Sequence, residues 1–257
     1  MRSITSTFDN SAATFERYRS FPAGVPEAIR ATVWKSVRNR RLARVLDVGA
    51  GTGRIGNAFV EANDFYVGVD ASLAMLQEFR RHSPAASLIQ ADGTCLPFNS
   101  QVFDVVMLMQ VLSGAQNWRG LLDEARRILR PAGAIVAGHT INPSDGVDAQ
   151  LKRQLRTILE DIGVEFHESN RARKQSLAWL ESSATRTTHV TAASWVGERT
   201  PREFLIRHRT GARFSALPLP IQEEALQKLS AWAEETFGSL DASHTEEFGF
   251  DLGVFEY

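Results

Sequence analysis

Between residues 44 and 139, short apolar runs alternate with longer stretches whose apolar residues recur every three or four positions. The runs RVLDV (44–48), FYVGVD (65–70), SLIQAD (87–92), FDVVMLMQ (103–110) and GAIVAGH (133–139) are rich in β-branched or other apolar residues. That pattern predicts strands. IGNAFVEA, SLAMLQEFRRH and NWRGLLDEARRILR have helical spacing, with Ser72 placed to cap the second and Pro131 to stop the third. Strands buried on both faces and separated by helices predict a parallel, doubly wound sheet. Its right-handed crossovers bring the carboxyl ends of the strands to one edge, where ligands bind.

After about residue 145 the pattern changes. Helical text at 149–163 and 170–183 leads to a β-like stretch, TRTTHVTAASWV (185–196); two further helices follow at 201–209 and 220–238. The closing EEFGFDLGVFEY alternates as a half-buried strand does. The expected organisation is one domain over 1–257, with N-terminal cap helices in 1–40, a ligand-binding core in 41–145, cap helices and a sixth strand in 146–240, and a last strand in 241–257. Helices inserted between late strands sit over the ligand edge, so this region is expected to choose the substrate.

At 257 residues with 43% hydrophobic content, the chain can bury a full core. A formal net charge of -1 provides no general attraction to polyphosphate, so no nucleic-acid partner is expected. The charge is uneven: residues 1–44 hold nine Arg or Lys against three acids, and 241–257 hold five acids and no Arg or Lys. The basic run from Arg38 to Arg44 is expected at a helix end, where cations complement the dipole. One cysteine, Cys95, excludes an intrachain disulfide and suits the cytoplasm. The chain has no apolar run of the roughly 18 residues that a membrane span requires. No histidine or cysteine spacing marks a metal site, so none is expected. Oligomeric state is not encoded in any of these features.

The densest chemistry is VLDVGAGTGR (45–54). Gly49, Gly51 and Gly53 allow a sharp turn out of the first strand and let a ligand lie on the backbone. The helix that follows directs its first amides toward the same place. Asp47 is a carboxylate inside a strand, which is costly unless it binds the turn or faces a cation. GTGRIG (51–56) also matches the dinucleotide pattern G-x-G-x-x-G, but Asp47 and Gly49 set the turn two residues earlier than that pattern does. Asp70, at the second strand end, suits ribose hydroxyls in either ligand class. Asp92, which ends the third strand in QADGTCLPF, suits the edge of an adenine.

Five segments in order, VLDVGAGTGR, VGVDASLAML, QADGTCLPF, FDVVMLMQVL and DEARRILRPAGAIVAG, resemble the class I S-adenosylmethionine-dependent methyltransferases. The likeness is to the small-molecule group of the methyltransferase-11 or ubiquinone-biosynthesis type. The resemblance implies an α/β, Rossmann-like, seven-stranded sheet, mostly parallel with an antiparallel last strand, plus a helical cap. It implies S-adenosylmethionine as cofactor and a small-molecule acceptor. The stretch Gly49 to Gly53, with Gly49, Ala50 and Gly51 foremost, would carry the methionine moiety, with Asp47 holding its amino group or the turn. Asp70 would take the ribose, Ala71 and Met75 the adenine face, and Asp92 with Gly93 the adenine edge. Gln110 would lie close to the cofactor, and Tyr18, with Phe8 and Arg19, would fold over it from the N-terminus.

Methyl transfer needs a base only where the acceptor holds its proton firmly. His139, ending the fifth strand, has a suitable ordinary pKa and is the candidate catalytic residue. Trp118, Trp179, Trp195, Phe204 and Phe214 are the aromatics available to line an apolar pocket. Two departures from the family pattern stand out: Ala132 replaces a usual glycine, with little effect expected, and QVLS (110–113) lacks the (Asp/Asn)-Pro-Pro-aromatic tetrad of nucleobase amine methyltransferases.

Overall fold

The computed structural model describes residues 20–37, 42–164, 170–209 and 212–257. In chain order these form α1 (Val25–Ser36), β1 (Arg44–Val48), α2 (Gly56–Glu61), β2 (Phe65–Asp70), α3 (Leu73–His82), β3 (Ser87–Gln90), β4 (Phe103–Met109) and α4 (Trp118–Ile128). Then come β5 (Leu129–Ile141), α5 (Val147–Asp161), α6 (Asn170–Ser183), β6 (Arg186–Arg199), α7 (Pro201–Arg209), α8 (Ala212–Ser215), α9 (Leu219–Phe237) and β7 (His244–Glu256). The strands form one seven-stranded sheet in the order β3-β2-β1-β4-β5-β7-β6. β1 to β5 pair in parallel, and β7 runs antiparallel between β5 and β6. The expected mostly parallel sheet with an antiparallel last strand is therefore the observed one.

The alternation of β1 shows how the sheet is buried. Val45 points into an apolar cluster with Ile29, Val33, Phe59, Tyr66 and Phe79 from α1, α2, β2 and α3. Leu46 and Val48 point to the opposite cluster, built on Leu122, Ala125 and Ile128 of α4 and Leu180 of α6. A strand covered on both faces is largely apolar, which is why RVLDV shows no regular polar alternation, Asp47 being its one buried polar position.

Two boundaries differ from the sequence pattern. The helix ending in ILR stops at Ile128, and Leu129, with φ -76 and ψ 132, opens β5 by pairing with Phe103. Proline at 131 disfavours helical backbone before it, and the strand takes up the released residues. At the other end, β6 and β7 extend past β5. Ile141 of β5 pairs with Gly249, and from Phe248 back to His244 the partners are Trp195 to Arg199 of β6. This two-stranded arm rises beyond the ligand edge with α7, α8 and α9 inserted between its strands.

The arm carries a third core. Val147, Leu151, Leu155 and Leu159 of α5 pack against Phe204 of α7, Phe214 of α8 and Ala225, Leu229 and Ala233 of α9. Glu246 of β7 accepts from the Val147 amide at 2.6 Å, capping α5, and Asp148 pairs with Arg207 between α5 and α7. The aromatic set does not converge: Trp118 and Trp179 lie in the α4–α6 cluster, Phe204 and Phe214 in the cap core, and Trp195 stacks on Phe248.

Candidate functional site

The turn after β1 is held by backbone bonds to β2. Gly49 N and Ala50 N both donate to Val69 O, at 2.8 and 3.0 Å, and Gly53 N donates to Ala50 O at 3.1 Å. Gly49, Gly51 and Gly53 have φ of 80, 57 and 86. Their surroundings differ. A Cβ on Gly53 would meet the Phe79 ring at 2.3 Å, and one on Gly49 would meet Val111 at 2.4 Å, whereas on Gly51 the nearest atom is Gly49 O at 4.0 Å. The outer two glycines are required by the protein's own packing. Gly51 leaves open space against its backbone, the kind of cradle a ligand fills.

Asp70 closes this turn. Its Oδ2 accepts from Gly51 N and its Oδ1 from Ser72 N, both at 2.8 Å, so the carboxylate is oriented at the mouth of the cradle. Ser72 caps α3 by accepting from Met75 N at 3.3 Å; Ala71 is half-buried, and Met75 is buried. Asp92 is exposed, its Oδ1 accepting from Thr94 N and Thr94 Oγ1 at 2.8 Å each. Gly93 lies beneath it, where a Cβ would meet Leu121 at 2.8 Å and Val48 at 3.0 Å.

Asp47 is buried and points away from the cradle, toward the α1–α3 face. Its Oδ2 accepts from the Tyr66 hydroxyl at 2.8 Å, and Oδ1 is buried without a partner among the described residues. The partner is therefore neither the turn nor a cation but a phenol one strand away. Burial, opposed by the Tyr66 hydrogen bond and aided by the Asp70 charge, pushes the carboxyl up to about 7. Burial also lifts the Tyr66 hydroxyl far above its ordinary range, with the Asp47 charge adding to it. Asp47 pairs with Gly68 in register, so Tyr66 is its diagonal neighbour on the same face.

On the other side of β1 the edge continues over β4 and β5. Gln110 follows β4 at φ 60, its backbone amide donating to Gly138 O at 2.7 Å and its side chain to Thr140 Oγ1 at 3.3 Å. A non-glycine residue held in left-handed backbone is a frequent feature of functional sites. Beside it lies a cavity of about 90 Å³ whose lining includes Gln110, Ser113, His139, Arg173, His189 and Asp251. His139 and Asp251 face each other across β5 and β7, and Thr191 of β6 donates to Asp251 Oδ1 at 2.7 Å. Arg173 of α6 donates to His139 Nε2. Burial, then the Arg173 charge, holds the His139 imidazole below its ordinary value, with Asp251 acting in the opposite sense. A lone pair already engaged by a guanidinium makes His139 a neutral, oriented ring; abstracting a proton would require Arg173 to release it.

The structure thus gathers Gly49, Ala50, Gly51, Asp70 and Ala71 at one mouth, brings Asp92 and Gly93 to the neighbouring strand end, and sets Gln110 and His139 beside a cavity. Tyr18, Phe8 and Arg19 lie outside the described residues. Arg173, Asp251 and Tyr66 were not singled out by the sequence. Tyr66 was within reach of strand-register reasoning; Arg173 was one of several arginines on a helix, and only the packing of α6 on the sheet selects it.

Residues 46–137 match the family model described as a methyltransferase domain. A demethylmenaquinone methyltransferase from Streptomyces avermitilis is 30% identical over 142 residues, 55% of this chain and 62% of that one. A malonyl-[acyl-carrier protein] O-methyltransferase from Salmonella typhimurium is 28% identical over 134 residues, 52% of each chain. The chain spans about half the length of the curated relatives it matches. The crystal structure of the YcgJ protein from Bacillus subtilis superposes with a TM-score of 0.54 at 19% identity, covering 90% of this chain and 98% of that one, a likeness of fold. Among the described residues no helix is long and apolar enough to cross a membrane.

Proposed function

We propose that this chain, which belongs through residues 46–137 to the class I S-adenosylmethionine-dependent methyltransferases, transfers a methyl group from S-adenosylmethionine to a small-molecule acceptor. The observation that carries the reading is the open cradle at Gly51, with the Asp70 carboxylate fixed at its rim by Gly51 N and Ser72 N. A ligand that pairs two hydroxyls with a carboxylate and rests a neighbouring group on bare backbone fits it. When bound, the cofactor supplies an electrophilic methyl group on a sulfonium.

The residues then divide the work. Gly49, Ala50 and Gly51 take the methionine part, Asp70 the ribose hydroxyls, and Asp92 with Gly93 the adenine edge, while Ala71 and Met75 border its face. Tyr18 is proposed to cover the site from the N-terminal segment. Gln110, pinned by its left-handed backbone and its bond to Gly138, orients the reacting end. Alignment of this kind contributes on the order of 7–11 kcal/mol in well-oriented intramolecular reactions. His139 borders the acceptor side. The proposed compartment is the cytoplasm, which suits the single exposed Cys95.

Calorimetric titration with S-adenosylmethionine and S-adenosylhomocysteine, with NAD as control, tests the reading. The wild type is expected to bind both sulfur ligands, and Asp70→Ala to weaken them about tenfold to a hundredfold through the lost charge-assisted bonds. A preference for NAD sinks the reading. Formation of S-adenosylhomocysteine on addition of a metabolite extract distinguishes a transferase from a protein that only binds the cofactor.

A further inference from the structure

The cavity beside Gln110 is lined by Arg173, a cation that forms no ion pair among the described residues. Arg173 is half-buried, and among the described residues its guanidinium donates to the His139 ring and forms no ion pair with a carboxylate. Asp251 is the nearest acid in the lining, but it acts on Arg173 from beyond contact and its Oδ1 is taken by Thr191. Several arginines are paired with carboxylates, Arg30 with Asp64 at 2.6 Å, Arg127 with Glu124 at 2.7 Å and Arg130 with Asp104 at 3.0 Å, whereas Arg199 lies over the Phe248 ring instead. Arg173, which has no such carboxylate partner among the described residues, lines the cavity.

A desolvated charge left without a counter-charge is costly, and a planar fork of N–H donors is matched by a planar carboxylate. The imidazole occupies one arm of the fork and leaves the rest of the guanidinium to the cavity. Gln110 lies at the same wall, its side chain held by Thr140 at 3.3 Å. We propose that Arg173 is a specificity-determining residue that binds a carboxylate of the methyl acceptor in this cavity. The inference rests on the methyltransferase reading for the word acceptor, while the carboxylate site itself stands on the cavity and the unpaired cation. An acceptor oxygen that arrives ionised has no proton to lose, so the engagement of His139 Nε2 by Arg173 is no obstacle to it.

The test uses the full chain loaded with S-adenosylhomocysteine and titrated, by ligand-observed NMR, with butyrate and benzoate, each against its neutral amide. The wild type is expected to prefer the carboxylate by about tenfold or more, as a charge-assisted bidentate contact does over a neutral one. Arg173→Gln should lose that preference while its affinity for S-adenosylhomocysteine and its melting temperature stay at wild-type values. Arg173→Lys, which keeps the charge and loses the fork, should retain only part of it. Equal binding of acid and amide by the wild type overturns the proposal, as does an undiminished preference in Arg173→Gln. Should the glutamine variant fail to fold, an undiminished preference in the lysine variant overturns it equally. Failure of S-adenosylhomocysteine to bind the wild type would instead sink the cofactor reading, and the carboxylate preference is then read on the unloaded chain.

Discussion

The two ends of the ligand edge are built in different ways. At β1 and β2 the site is made of backbone, with a glycine turn held by Val69 O and a carboxylate locked by two amides. At β5 and β7 it is made of side chains brought from three separate elements, His139, Asp251 and Arg173. A backbone site depends on local conformation and so is written in consecutive residues. A side-chain site depends on strand register and helix docking, which many sequences can satisfy with different residues. The difference fits the proposed division between a cofactor end built of local backbone and an acceptor end built of side chains from separate elements.

The largest expected effect breaks the backbone end by two separate routes. Gly53→Ala places a Cβ at 2.3 Å from the Phe79 ring at φ 86 and should cost about 3–5 kcal/mol in denaturant unfolding, from overpacking and left-handed strain together. Gly51→Ala meets nothing nearer than 4.0 Å, so its cost to stability should be about 1 kcal/mol, from the positive φ alone. Its loss should appear in cofactor affinity instead. Equal stability losses for the two would mean that Gly51 is a packing glycine and would erase the distinction between cradle and scaffold.

A middle-sized effect concerns Asp47, the charge set behind the turn. Folded, its carboxyl ionises near 7, against 3.8 unexposed to the fold's burial. Folding therefore takes up a proton between those values, and stability should fall as pH rises from about 4 through 7. The contribution is full at the acid end and lost at the alkaline end, the reverse of an ion-paired aspartate. Asp47→Asn, which keeps an acceptor for Tyr66, should flatten the slope and gain about 2 kcal/mol at pH 8 relative to pH 5. Unfolding curves at the two pH values check this, and a slope unchanged by the variant would show that Asp47 is already ionised in the native state.

The smallest effect is a control at the opposite edge. Ala132, where the family pattern shows glycine, adopts φ 58, far from any proposed ligand contact. Little effect was expected of that alanine; its left-handed backbone shows that it carries strain. Ala132→Gly should raise stability by about 1 kcal/mol and leave ligand affinity unchanged. Any loss of cofactor binding would show that strain at the far edge is coupled to the site.

Much of the cofactor end was legible in the chain. The apolar runs marked β1 to β5, the glycines at alternate positions marked the turn, and Asp70 and Asp92 followed from their places at strand ends. The boundaries at Leu129 and in the β6–β7 arm were less legible, because pairing with neighbours decided them. Asp47 was conspicuous, but its partner was not: the alternatives weighed were the turn or a cation, and the register of β1 on β2 supplied Tyr66. The aromatic residues were an ambiguous signal, since helical spacing looks the same in a core as in a pocket.

The sequence by itself determined the class of fold, the position of the glycine turn and the acidic residues at its rim, because each follows from local periodicity or from backbone that only glycine adopts freely. Only the tertiary structure decided which glycine is open to a ligand, which phenol meets Asp47, and which of the chain's arginines donates to His139. Those depend on contacts between residues far apart in the chain, 34 positions for Arg173 and His139, and no local pattern specifies which side chains a folded sheet will bring face to face.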